Sequence, residues 1–282
     1  MSNERIAVIG LGRMGGPIAD HLVAAGYEVH VYDKEAAAMD ARVAAGAVAA
    51  RSPAHAAEGA TFVSVIVFDD AQALEVVGGT EGVLSSLLPG AIVAIHTTVS
   101  LETIHRLAAQ ADARGMVVLD AGISGGEAGS AAGTLLTMVG GPVHAVDTAQ
   151  PILGCFSKEV LHAGPVGAGM ALKLARNATG YAMMVAVHEA MELAHRSGVD
   201  LALLRHTISE TGVFDQSLAP FTLGGPEPLP PDADPAVRAA LEHTNRLADK
   251  DLDQALHLAA RVGAPVPMLT EVRRTFHHSV RV

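Results

Sequence analysis

The stretch RIAVIGLGRMGGPIADHL, residues 5–22, decides how the first half of this chain folds. A short apolar run ends at Ile9, and a helical pattern opens after the glycines. Gly10, Gly12 and Gly15 stand between them at G-x-G-x-x-G spacing. The context matters more than the spacing, because the same glycines without a strand before and a helix after carry little information. Gly10 permits a tight turn, Gly12 lets the backbone approach a pyrophosphate, and Gly15 lets the helix pack close to the strand. The helix N-terminus then offers free N–H groups to an anion. The turn Gly10–Gly15, with Leu11, Arg13 and Met14, is therefore the expected pyrophosphate site of a dinucleotide.

Working outward, a second strand EVHVY ends at Tyr32, and Asp33 follows. A carboxylate at that point accepts hydrogen bonds from the adenosine ribose and repels a 2′-phosphate. NAD is favoured on this ground. NADP stays possible, because Lys34 and Arg13 stand close enough to soften the repulsion. Further apolar runs at 62–68, 91–95 and 116–120 alternate with helical patterns at 14–25, 34–45 and 101–114. Near-continuous apolar strands alternating with helices predict a parallel sheet covered on both faces. Two more strands are expected at 134–141 and 159–164.

Beyond residue 165 the strand signal ends. Helices are expected at 167–197, 200–211, 235–262 and 265–278. The proline-rich segment TLGGPEPLPPDADP, 222–235, interrupts them as a loop or lid. The chain thus divides into an α/β Rossmann-like domain, 1–163, and an all-α domain, 164–282.

Composition sets outer limits. Of 282 residues half are hydrophobic, and the net charge is −11, which argues against nucleic acid or anionic lipid as partners. Cys155 is the single cysteine, so neither an intramolecular disulfide nor a cysteine metal site is expected. HEAME, 188–192, opens like a zinc-protease motif but ends in Glu192. His188, Glu192 and His195 read better as a solvated helix face, and no metal is expected. Neither a signal peptide nor a spanning run is visible, which leads to the expectation of a soluble, cytoplasmic protein.

Two later segments carry chemistry. DAGISGGEAGSAAGTLLTMVGG, 120–141, is rich in Gly and Ser without being repetitive. Ser124, Gly125 and Gly126 would present backbone N–H groups as a nest for a carboxylate; a flexible connector is the alternative. GPVGAGMALKLARN, 164–177, runs from a glycine turn into a helix on which Lys173 and Asn177 share a face. An amine in an apolar cleft has a lowered pKa and can exchange protons with an alcohol or carbonyl. On this segment alone a solvated lysine is the simpler reading.

Together these segments resemble the β-hydroxyacid dehydrogenase family, the 3-hydroxyisobutyrate dehydrogenase-like NAD(P)-dependent oxidoreductases. GLGRMGGPIADHL looks like the family's G-L-G-x-M-G-x-x-x-A-x-x-L opening. The 120–141 segment resembles its D-A-P-V-S-G-G-x-x-G-A-x-x-G-T-L-x-x-M-V-G-G. GAGMALKLARN looks like its G-x-G-x-x-x-K-x-x-x-N. HTTVS, 96–100, stands where the family has S-T-x-S, and KDLDQAL, 250–256, resembles K-D-L-x-L-A.

The resemblance implies that Lys173 is the catalytic acid/base and that Asn177 assists it. It also implies that Ser124, Gly125 and Gly126 hold the substrate carboxylate, that Thr98 lies against the nicotinamide ribose, and that Lys250, set by Asp251, contacts cofactor or substrate. Val67 and Phe68 stand where the family has a Leu-Pro pair beside the cofactor. Gly122-Ile123 replaces Pro-Val. Segment 212–235 lacks the family's Ser-Trp and aromatic features, which leaves Phe214, Asp215 and Gln216 as candidate pocket lining. The resemblance further implies a homodimer or homotetramer built on the long apolar helix. Imine reductases of the same fold, which generally replace the lysine, and non-catalytic NAD-binding modules are the alternatives.

Overall fold

A computed structural model describes residues 4–218 and 227–281, without the side chain of Gln216. The chain divides into two compact units, Met1–Asn177 and Ala178–Val282.

The first unit is built on one sheet. Its strands are β1 (Arg5–Ile9), β2 (Glu28–Tyr32), β3 (Val48–Ala49), β4 (Phe62–Val65), β5 (Ile92–Ile95), β6 (Val117–Ser124), β7 (Leu135–Gly140) and β8 (Ser157–Gly164). They lie in the order β3-β2-β1-β4-β5-β6-β7-β8. The helices between them are α1 (Gly15–Ala24), α2 (Ala36–Ala44), α3 (Pro53–Ala57), α4 (Asp70–Gly78), α5 (Leu101–Asp112), α6 (Gly126–Ala132) and α7 (Val143–Leu153). The central strands β1, β4 and β5 are buried on both sides, as apolar strands require, while the edge strands β3 and β8 are largely exposed. Ile6 and Val8 pack with Ile18, Leu22 and Leu153 in one core. Ala7 and Ile9 pack with Val77, Ile104 and Leu107 in the other.

Strands β1–β6 pair in parallel. β7 then runs antiparallel to β6, and β8 parallel to β7. The reversal has a simple cause: the link through α6 is shorter than the dozen or so residues that a parallel crossover needs. β3 has only two residues, both exposed, too few to register as an apolar run.

Helix α8 (Ala168–Arg196) begins in the first unit and continues into the second. The second unit adds α9 (Leu201–Glu210), α10 (Val213–Gln216), α11 (Pro235–Val262) and α12 (Pro267–Ser279). The ends are set by local chemistry. Asp200 caps α9 through the Ala202 amide at 2.6 Å, and Asp234 caps α11 through Ala236 at 2.8 Å. Glu189 of α8 takes the Met268 and Leu269 amides at the start of α12, at 2.7 and 2.8 Å. Arg273 of α12 pairs with Asp249 and Asp253 of α11. Of the loop or lid expected at 222–235, residues 227–234 are irregular, Pro235 opens α11, and 222–226 lie outside the described residues.

Candidate functional site

The glycine turn follows β1. Gly10 has φ +92°, and its amide donates to the Tyr32 carbonyl at 2.9 Å. A Cβ on Gly10 would collide with the Ile66 carbonyl oxygen, and one on Gly15 with the Gly10 carbonyl oxygen. These two glycines are therefore demanded by the protein itself. Gly12 is different: a Cβ there would meet nothing within 4 Å. Its bare backbone faces a cavity of about 940 Å³ lined by Gly10, Gly12, Arg13, Met14, Gly15, Asp33, Lys34, Val67 and Phe68, among others. A glycine with free space on the cavity side is what close approach of a pyrophosphate requires, so the turn fits a dinucleotide.

Leu11 contributes through its backbone, since its side chain is packed in the core. Its amide donates to Asp33 Oδ2 at 2.7 Å, and the Glu35 amide donates to Oδ1 at 2.9 Å. Asp33 is thus a structural clamp on the turn as well as a lining residue. A carboxylate has about four acceptor positions, so hydroxyl donors can still be met. Arg13 is exposed, and its guanidinium pairs with Glu127 of α6 at 2.7 Å. The Val67 amide donates to Thr97 Oγ1 at 2.9 Å. Thr97 is buried, whereas Thr98 is exposed and is not among the cavity-lining residues. Phe68 is 85% exposed at the rim.

The lysine seat lies at the end of β6. Lys173 is only 8% exposed, and its amine donates to the Ile123 carbonyl. Burial, with the nearby Arg176 charge second, lowers its pKa below the ordinary lysine value. A Cβ at Gly122 would come within 2.6 Å of Lys173 Cδ, so the lysine stem fills the space of the missing side chain. Asp120 fixes the helix that carries the lysine. Fully buried in β6, it accepts from the Gly167 and Met170 amides, each at 2.7 Å. Burial raises its pKa, and those amides work in the opposite sense by favouring the carboxylate. Gly169 sits so close to the sheet that a Cβ would be 2.6 Å from the Gly140 nitrogen.

Ser124 follows Ile123 directly, so the lysine anchor and the proposed carboxylate nest are consecutive in the chain. Gly125 and Gly126 have φ of +137° and +62°, conformations that favour glycine. Helix α6 then ties this segment to the glycine turn: Ser130 Oγ donates to the Met14 carbonyl at 2.8 Å. Asn177 is half-buried, and its Oδ1 accepts from Arg176 at 3.3 Å. In the second unit, Lys250 pairs with Asp251 at 3.1 Å, and Phe214 and Asp215 are exposed. Glu192 pairs with Arg196. Among the described residues, no group of three or more His, Cys, Asp or Glu side chains is placed to hold a metal.

The sequence alone assigns no role to Asp120 or His96, and marks Gly122 only as a departure from the family's Pro. For Asp120 a signal was present: a lone carboxylate inside the apolar run MVVLD must find donors or pay to be buried.

The sequence and fold match known proteins along the whole chain. Residues 5–167 match the NAD binding domain of 6-phosphogluconate dehydrogenase. Residues 167–281 match the domain described as NAD-binding of NADP-dependent 3-hydroxyisobutyrate dehydrogenase. The chain is 33% identical over 272 residues to the 3-hydroxyisobutyrate dehydrogenase of Pseudomonas aeruginosa, covering 96% of this chain and 90% of that one. It is similar to the Mycobacterium tuberculosis 3-hydroxyisobutyrate dehydrogenase solved with L-serine, with TM-score 0.71, 30% identity and coverage of 97% and 92%. It shares its fold with an imine reductase from Myxococcus stipitatus in complex with NAD+, with TM-score 0.82, 18% identity and coverage of 99% and 94%. With its glycine turn, its sheet and these matches, the chain belongs to the β-hydroxyacid dehydrogenase family and is an NAD(P)-dependent oxidoreductase.

Proposed function

We propose that this enzyme interconverts a short β-hydroxy acid and its semialdehyde or keto form, with Lys173 as general acid/base. The observation that carries the reading is the buried amine of Lys173 on the Ile123 carbonyl, one residue before Ser124. When bound, the dinucleotide supplies the hydride acceptor for oxidation at the carbinol carbon. Lys173 Nζ, in its neutral form, takes the hydroxyl proton; in reduction its ammonium returns one to the carbonyl oxygen. The Asn177 amide orients the hydroxyl. The Ser124–Gly126 amides hold the carboxylate, which needs no arginine. Thr98 and Lys250 serve the cofactor, and Phe214 and Asp215 line the substrate pocket.

NAD is the preferred dinucleotide. The Asp33 carboxyl lines the cavity, and Arg13, one of the two basic residues that line it too, is already engaged by Glu127. A homodimer or homotetramer, assembled on the apolar face of α8, is supported by the exposure of Tyr181 and Met184. The protein works in the cytoplasm, and among the described residues no helix is long and apolar enough to cross a membrane. The functional boundary between cofactor and substrate domains falls at 163/164.

The test is a rate screen with 3-hydroxyisobutyrate, glycerate, 3-hydroxypropionate, 4-hydroxybutyrate, threonate and serine, each with NAD and NADP. Turnover with the β-hydroxy acids, lost in Lys173→Ala, is expected. Wild-type-like turnover in that variant removes the assignment. Faster reduction of a cyclic imine than of any semialdehyde would place the enzyme with the imine reductases instead.

A further inference from the structure

His96, just after β5, is a buried histidine for which the reaction has no use. It is 2% exposed, with its ring edge-on to Phe156 at 5.7 Å and 85°. Its Nδ1 lies 2.7 Å from the Ala121 carbonyl oxygen. A carbonyl only accepts, so Nδ1 carries the proton. Nε2 is then the bare nitrogen, and it accepts from Ser64 Oγ at 3.2 Å. Burial holds the pKa of this imidazole at about 4, so the ring is neutral at ordinary pH.

The position of that bond matters. The ladder between β5 and β6 ends at Ile95 opposite Asp120. Ala121 and Ile123 lie past it, and in an extended strand their carbonyls share an edge. Instead of a neighbouring strand, each meets a side-chain donor: His96 on Ala121, and the Lys173 amine on Ile123. Gly122, between them, holds the lysine stem.

We propose that His96 is a positioning residue for Lys173: by donating to the Ala121 carbonyl it fixes the overhanging end of β6, and with it the carbonyl that seats the lysine amine. The inference rests on the acid/base reading of Lys173. A displacement near 1 Å of a reacting group costs roughly 100-fold in rate, so the brace acts on turnover rather than on binding.

The experiment compares two amides at one position. His96→Asn keeps a donor near the Nδ1 position and the bond to Ala121. His96→Gln reaches toward Ser64 instead. Expected for His96→Gln is a kcat lowered roughly 10- to 100-fold with KM and NADH affinity held within about twofold, and for His96→Asn a kcat within about threefold of wild type. Ser64→Ala, which spares the Ala121 bond, keeps wild-type kcat and gives a second reading if His96→Gln does not fold. Equal kcat in the Asn and Gln variants, a loss expressed in KM alone, or a Ser64→Ala enzyme as slow as His96→Gln overturns the proposal. An active Lys173→Ala enzyme overturns the acid/base reading itself, whatever the His96 variants do.

Discussion

In the sheet unit, Phe62, Phe156, Ile6, Ile18 and Leu119 are sealed to within 2% exposure. In the helical unit, the buried apolar residues among those described are Ala194, Ala259, Val266 and Val280, while Tyr181 is 67% and Met184 69% exposed. The contrast lies in what completes each core. Parallel strands with apolar residues on both sides close two cores within one chain. The helices are joined in part by polar devices, the Glu189 cap and the Arg273 pairs, and leave apolar surface uncovered. That uncovered face is the surface on which the proposed assembly would form.

Four measurements break or sharpen this contrast. The largest effect belongs to Lys173, which lies on the stretch of α8 inside the sheet unit. Lys173→Ala lowers kcat by roughly 10²- to 10⁴-fold, while NADH binding, read by fluorescence titration, is unchanged because the glycine turn is intact. Next is the apolar face. Tyr181→Glu with Met184→Glu yields a monomer in sedimentation velocity, at NADH affinity close to wild type; a pair-substituted protein that sediments like wild type shows that another surface makes the assembly. Third, the glycines separate fold from ligand. Gly10→Ala lowers thermal stability, because its Cβ has no room beside Ile66. Gly12→Ala keeps the wild-type melting temperature and loses dinucleotide affinity; equal melting losses in both variants would erase the distinction.

The smallest effect is electrostatic. The Lys173 pKa is lowered by burial first and by Arg176 second. The rate of alcohol oxidation therefore rises with pH as the ammonium loses its proton, with a midpoint below the ordinary lysine value of about 10.4. Carbonyl reduction, which needs the ammonium, falls over the same window. Arg176→Gln removes a repelling charge and moves both limbs to higher pH. Limbs that stay in place assign the shift to burial alone.

Local signals were legible where they depend on neighbours in the chain. The strand, glycines and helix of 5–22 needed only their own order, and the expected helix at 235–262 matches α11, with Pro235 at its start and Gly263 at its end. What escaped depends on partners far away. The reversal of β7 follows from the length of the α6 link, which the glycine-rich segment hides. His96 looks like any histidine after a strand until Ser64 and Ala121 are placed beside it. The seat of Lys173 is likewise invisible locally, since its acceptor lies on a strand 50 positions earlier. This is why the lysine helix read alone points to a surface charge.

The Gly122–Lys173 contact has an evolutionary corollary. The methylene chain of the lysine occupies the volume that a side chain at 122 would claim, so the two positions share one space while standing far apart in sequence. Substitutions in contact do not add. A side chain at 122 therefore has to displace the lysine stem, and its cost is relieved when residue 173 is shortened. Position 122 is thereby an epistatic partner of the amine, and active-site libraries that vary one should vary both.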